Sequence, residues 1–218
     1  MRAMSLARSL PPTDTWTPIS WDEFVQLIEQ PDHQHHHKAY YHDGQMRLEI
    51  MPTGSDHARD HAIPMLLIGL FGMVTGLPLA PRDACSYRKP GSDEFQPDIS
   101  YYVGDHANCI PRGTRIINLD EHPKPDLGIE ISDTTLADDK GEKRLQYEAL
   151  RISEYWVWDV KNSHLIAFAI APDGSSKRID TSKVLPDLSL PLLEAALQRS
   201  ETSDQSAIGT WFMEQIRP

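Results

Sequence analysis

Apolar residues alternate along Leu127, Ile129 and Ile131, the period of a half-buried strand, and that period turns Glu130 to the face opposite the isoleucines. The cluster Ser132-Asp133-Thr134-Thr135 stops the strand, and Asp138 or Asp139 then N-caps a helix running to about Leu150. Lys143 and Tyr147 lie one helical turn apart and share a face. Leu145, Ala149 and Ile152 form one stripe of this helix, and Lys143, Tyr147 and Leu150 form another. Periodicity leaves open which of the two meets the sheet. Glu154 to Val160 is aromatic and β-branched enough to be a strand. Strand, helix, strand predicts a right-handed parallel crossover.

Upstream, Ser20 and Glu23 form a capping box for a helix from Trp21 to about Gln30, with Phe24, Leu27 and Ile28 as its apolar stripe. Lys38 to Met51 reads as a hairpin turning at Asp43-Gly44, with Met46, Leu48 and Ile50 alternating against Arg47 and Glu49. The segment from Pro52 to Asp56 breaks the strand and offers an N-cap for an apolar helix, in whose first turns His57 and His61 lie one turn apart. That spacing suits a pair of metal ligands, but a pair facing solvent or satisfied in the core is the simpler reading. Gly76 and Pro78 end the helix. Strands follow at Ala84 to Arg88 and at Pro97 to Val103, separated by a turn from Lys89 to Asp93, and Asp98 opens the second of them. Gly104 to Lys124 is irregular. A further strand spans His164 to Ile170, and helices from about Pro191 to Gln198 and from about Gln205 to Ile216 close the chain.

The uncharged run from Ala62 to Ala80 approaches the length of a membrane span. Pro64, Gly69, Gly72, Gly76 and Pro78 interrupt it, leaving about a dozen residues of clean helix, which is the length of a buried core helix. No membrane span is expected. The 218 residues are enough for one domain with a real core, here residues 20–218 ending in two helices, behind a tail over residues 1–19. A formal charge of -11 excludes a broad basic surface that would coat nucleic acid, though not a local basic groove. Arg82, Arg88, Lys89, Arg112 and Arg115 are the candidates for such a groove. Cys85 and Cys109 are too few for a disulfide framework and lack metal-ligand spacing, which points to a reducing, cytoplasmic compartment. The run His33 to His37 is best read as a solvated loop.

Asp98 and Glu130, each in or beside a strand, offer the hard oxygen ligands that Mg²⁺ or Mn²⁺ takes while retaining several waters. A nearby lysine could orient or deprotonate the attacking water and offset charge growing on a phosphodiester. On spacing alone a structural role fits as well: Asp98 caps a strand, and Glu130 pairs with Lys143 or an arginine.

Pro97-Asp98, Glu130-Ile131-Ser132, Lys143-Arg144-Leu145-Gln146-Tyr147 and Glu154-Tyr155-Trp156 together resemble the Uma-two family of restriction-endonuclease-like proteins, in the PD-(D/E)XK nuclease superfamily. The likeness spans Lys38 to Ile170 and includes Met51-Pro52-Thr53-Gly54 followed by His57. It implies an α/β fold, a restriction-endonuclease-like mixed sheet flanked by helices, with Asp98 and Glu130 as the metal-binding acids. The superfamily places its lysine where this chain has Ser132. The family's lysine is relocated to the following helix, which implies Lys143, with Lys140 as the fallback. The family often has a glutamate where this chain has Tyr40, and Glu49 is the substitute third acid. Accessory candidates are therefore Glu49, His57, Ser132, Lys140 and Tyr147 beside the catalytic set Asp98, Glu130 and Lys143.

The expected function is a Mg²⁺- or Mn²⁺-dependent endonuclease acting on DNA. A homodimer is expected from the need to cut two strands. The rival is a catalytically inactive nucleic-acid-binding or accessory protein of the same fold. An interaction module, presenting Trp156 and Trp158, is a third reading, although aromatics in strands are more often core.

Overall fold

The structure, a computed structural model, describes residues 10–30, 37–51 and 54–217. His33, His35 and His36, and the Pro52-Thr53 pair, lie outside them. Strand β1 (Thr17–Pro18) belongs to the segment expected as a tail, and it pairs with the first hairpin. The capping box forms as expected at helix α1 (Trp21–Ile28), where the Ser20 hydroxyl accepts from the Glu23 amide and Glu23 accepts from the Ser20 amide. Phe24 and Leu27 then bury against Tyr41, Met46 and Leu48 of the hairpin formed by β2 (His37–His42) and β3 (Gln45–Ile50). Asp43 and Gly44 both take positive φ, the two-residue turn whose twist matches the strands. A two-residue turn fixes the register: Lys38 faces Glu49, and Tyr40 faces Arg47.

Helix α2 (Ser55–Thr75) continues through Pro64 for 21 residues, which corrects the expectation of a short helix. Pro64 removes one backbone bond, but burial of Ile63, Leu67, Ile68 and Phe71 offsets it. Gly76 ends the helix in the left-handed conformation. No helix among the described residues is long and apolar enough to cross a membrane.

Next come β4 (Leu79–Asp83), β5 (Tyr87–Lys89), β6 (Asp93–Phe95), β7 (Ile99–Val103), a 3-10 turn over Gly104–Asn108 and β8 (Ile117–Asn118). The predicted crossover is β9 (Leu127–Ser132), α3 (Leu136–Asp139), α4 (Glu142–Ala149) and β10 (Glu154–Asp159), with β9 and β10 parallel. One continuous helix was expected between the strands. The chain breaks at Gly141, whose φ of -104° and ψ of -109° are not helical, and glycine suits the bend because a Cβ there would come 2.9 Å from the Ala137 carbonyl oxygen. Thr135, rather than Asp138 or Asp139, is the N-cap residue. Strands β11 (His164–Ile170) and β12 (Ser176–Arg178) and helices α5 (Leu190–Ser200) and α6 (Gln205–Ile216) complete the chain.

The strands form two six-stranded sheets, ordered β1-β3-β2-β6-β5-β8 and β12-β11-β10-β9-β7-β4. Both are mixed, and helices flank them, so the expected architecture is present with two sheets. Ile129, Ile131, Trp156 and Trp158 on one face of the second sheet pack with residues of α2, α5 and α6. Tyr155, Val157 and Ile166 on the other face pack with Tyr147 of α4 and with Tyr40, Tyr87 and Phe95 of the first sheet. Trp156 and Trp158 are fully buried, which removes the support they lent to an interaction module.

Candidate active site

The carboxyl end of β9, the β2–β3 hairpin and the first turns of α2 surround a cleft of about 430 Å³, lined in part by Lys38, Glu49, His57, Asp98 and Lys143. Asp98 reaches it because the β7–β9 ladder ends at the Ile99–Ile129 pair. The Ile131 amide beyond that point donates to Asp98 Oδ2 at 2.7 Å. Lys38 Nζ donates to Oδ1 of the same carboxylate, and His61 Nε2 lies 3.3 Å from it. Burial opposes ionisation of Asp98, but Lys38 and His61 outweigh it and hold the carboxyl far below the usual range.

Glu130 lies just beneath, 1 % exposed, on the strand face opposite Ile129 and Ile131 as the alternation predicts. Tyr147 donates its phenol proton to Glu130 Oε1 at 2.8 Å. Gly128 makes room for that ring, since a Cβ there would come 2.6 Å from Tyr147 Cε1. Burial pushes the Glu130 carboxyl up to about 8; Lys143 opposes the shift, and Asp98 adds to it.

The face of α4 left open by periodicity is decided by Lys143, Gln146 and Tyr147, which are buried, whereas Leu145 is largely exposed. Lys143 Nζ lies 2.8 Å from Glu49 Oε1, 2.9 Å from Asp139 Oδ1 and 3.7 Å from Glu130 Oε2, and it sits over the Tyr40 ring. Burial opposes its charge, but Glu130, Asp139 and Glu49 prevail and raise its pKa well above the ordinary lysine value. The amine is therefore an ammonium, paired with the Glu49 and Asp139 carboxylates.

The buried charges around the cleft are Glu49, Asp98, Glu130 and Asp139 against Lys38, Arg47 and Lys143. One negative charge is in excess, and the raised Glu130 pKa relieves it by keeping that carboxyl protonated near neutral pH. A hard divalent cation beside Asp98 and Glu130 would restore the second carboxylate, and oxygen donors suit Mg²⁺ or Mn²⁺. The residues present thus fit the ion.

Among the accessory candidates, Glu49 and Tyr147 contact the site directly through Lys143 and Glu130. His57 lines the cleft. Ser132 is buried and its hydroxyl has no hydrogen-bond partner among the described residues. Lys140 is exposed at the break between α3 and α4. Absent from the sequence-based set were Lys38, Asp139 and Asp14, which lines the cleft. The signal for Lys38 was available: a two-residue turn at Asp43-Gly44 places it opposite Glu49. No comparable signal marked Asp139, whose side chain meets Lys143 across a helix break. Of the basic candidates, Arg88 binds Glu94 and Glu29, and Lys89 binds Asp120. Arg112 and Arg115 are exposed.

No curated protein matches the chain. A solved structure from Anabaena variabilis ATCC 29413, described as "a putative nuclease belonging to DUF820", is similar to it with a TM-score of 0.54 and 19% sequence identity. The match covers 83% of this chain and 99% of that one, and at this identity it shows the fold. The Uma2 family model, described as "Putative restriction endonuclease", matches residues 21–202. Running from α1 through α5, that match shows that the chain belongs to the Uma2 family.

Proposed function

We propose that this protein is an endonuclease that hydrolyses DNA phosphodiester bonds, with Mg²⁺ or Mn²⁺ held by Asp98 and Glu130 and with Lys143 as the catalytic cation. The observation that carries the reading is the convergence of three ionisable side chains, Asp98 just before β7, Glu130 of β9 and Lys143 of α4, in or just beneath one cleft, all nearly excluded from water. When bound, the ion supplies Lewis acidity and charge neutralisation at the phosphate. Asp98, held ionised, and Glu130, once its proton has passed to solvent, would be the carboxylates that hold the ion. Lys143, an ammonium paired with Glu49 and Asp139, donates to the phosphate oxygens as negative charge grows on them. Tyr147 and Gly128 position Glu130 rather than touching substrate.

One observation favours the rival reading, a nucleic-acid-binding protein without catalysis. The Lys38 ammonium already occupies Asp98 Oδ1, so a cation must displace it or share the carboxylate. Incubation of supercoiled plasmid and single-stranded DNA with Mg²⁺ or Mn²⁺ separates the two. Hydrolysis predicts cleavage that EDTA stops and that Glu130→Gln lacks. DNA binding without cleavage in either ion supports the rival.

A further inference from the structure

At the mouth of the cleft, His57 and His61 project one turn apart from the start of α2 toward Asp98. A ligand nitrogen from each ring and an Asp98 carboxylate oxygen all lie within 4.8 Å of one another. The two rings are in contact, with centroids 4.3 Å apart.

The orientation of His61 is the telling feature. Its Nδ1 lies 3.0 Å from Asp83 Oδ1. A carboxylate only accepts, so the proton sits on Nδ1, and a neutral ring presents a bare lone pair at Nε2. That Nε2 is buried, lacks a hydrogen-bond partner among the described residues, and faces Asp98 Oδ1 at 3.3 Å. Either a second ring proton or a metal ion must therefore lie between that nitrogen and the Asp98 carboxylate. A carboxylate on the far nitrogen of an imidazole is also the arrangement that orients histidine ligands on metals. Asp56, Asp60 and Asp133 line the same cleft and raise the local concentration of cations.

We propose that His57, His61 and Asp98 form a binding site for a transition-metal ion of the Zn²⁺ type, with Asp83 as the outer carboxylate that orients His61. Imidazole nitrogen favours Zn²⁺, Co²⁺ and Ni²⁺ over Mg²⁺ and Mn²⁺, so this site differs in ligand chemistry from the all-oxygen pair Asp98 and Glu130. Its existence does not depend on the nuclease reading. Lys38 holds the same Asp98 oxygen, so ammonium and metal compete for it. Removal of Lys38 therefore strengthens metal binding, an effect opposite in sign to that of any ligand removal.

The test is titration of EDTA-treated full-length protein with Co²⁺, followed by its visible absorption and by calorimetry. Every protein carries His33→Asn, His35→Asn and His36→Asn, so that the histidine run does not contribute. The expected result is one equivalent of Co²⁺ bound at least about 100-fold more tightly than Mg²⁺. Asp83→Asn weakens it by about 10- to 100-fold. His57→Gln with His61→Gln abolishes it, and Lys38→Met tightens it. Circular dichroism and thermal unfolding establish that each variant is folded, and a rise in its melting temperature with Co²⁺ gives a second reading of binding. Absence of Co²⁺ binding to the parent protein, or binding unaltered in the double histidine variant, overturns the proposal. Glu130→Gln retains Co²⁺ binding even where it loses Mg²⁺-dependent cleavage, so failure of one reading is distinguishable from failure of the other. A doubly protonated His61 that simply donates to Asp98 predicts no Co²⁺ binding and is thereby the outcome that replaces this site.

Discussion

Gly128 shows how one missing methyl group sets the chemistry of the cleft. The Tyr147 ring lies against its Cα, and the phenol thereby reaches Glu130 at 2.8 Å. Gly128→Ala should displace the ring, lower stability by about 1–3 kcal/mol in chemical denaturation, and slow cleavage. Tyr147→Phe should slow cleavage while leaving the ring packing intact. A second residue pair sets a pH dependence outside the cleft. His42 Nδ1 lies 2.7 Å from Asp93 Oδ1, and that bond, against partial burial, raises the His42 pKa above 6.5. The folded value exceeds the unfolded one, so the contribution is fully present below pH 6.5 and is lost as pH rises through the folded value. His42→Gln should flatten this decline in unfolding free energy measured from pH 6 to 9. At this scale Asp98, Glu130 and Lys143 were legible through the resemblance, because each sits in a short recognisable motif. Lys38 could have been placed from the hairpin register, which sets it opposite Glu49, whereas Asp139 read only as a candidate helix cap.

Among the elements, β10 carries a structural carboxylate in the Glu154-Tyr155-Trp156 motif. Glu154 accepts from Trp156 Nε1, Ser182 Oγ and the Lys183 and Val184 amides, tying the segment after β12 to the central sheet. Glu154→Ala leaves those donors buried without an acceptor and should cost about 3 kcal/mol or more in denaturant unfolding. Strands with clear alternation, β3 and β9, were legible, as were α1 with its capping box and α6. Strand β4 was not, because Leu79-Ala80-Pro81-Arg82-Asp83 contains a proline. The sheet tolerates it because β4 is an edge strand. Helix α2 defied its proline for the related reason that tertiary burial outweighs a single lost backbone bond. The break at Gly141 was hidden for the opposite reason. Asp139 and Lys143 keep the spacing of a continuous helix on either side of it.

For the whole molecule, the net charge of -11 sets how DNA would be held. Of the five candidates for a basic groove, Arg88 and Lys89 are ion-paired, which leaves Arg82, Arg112 and Arg115 for phosphate contact. Two or three such contacts predict a shallow dependence of log affinity on log salt, with a slope of about -2 to -3, measurable by fluorescence anisotropy from 50 to 200 mM salt. The central claim is that Lys143, rather than the exposed Lys140, serves the two acids. Single-turnover nicking of supercoiled plasmid in Mg²⁺, by folded Lys143→Met and Lys140→Met proteins beside the unmodified chain, tests it most directly. The account predicts that Lys140→Met keeps the parent rate and that Lys143→Met loses about 100-fold or more. A folded Lys143→Met protein that cleaves at the parent rate would contradict it.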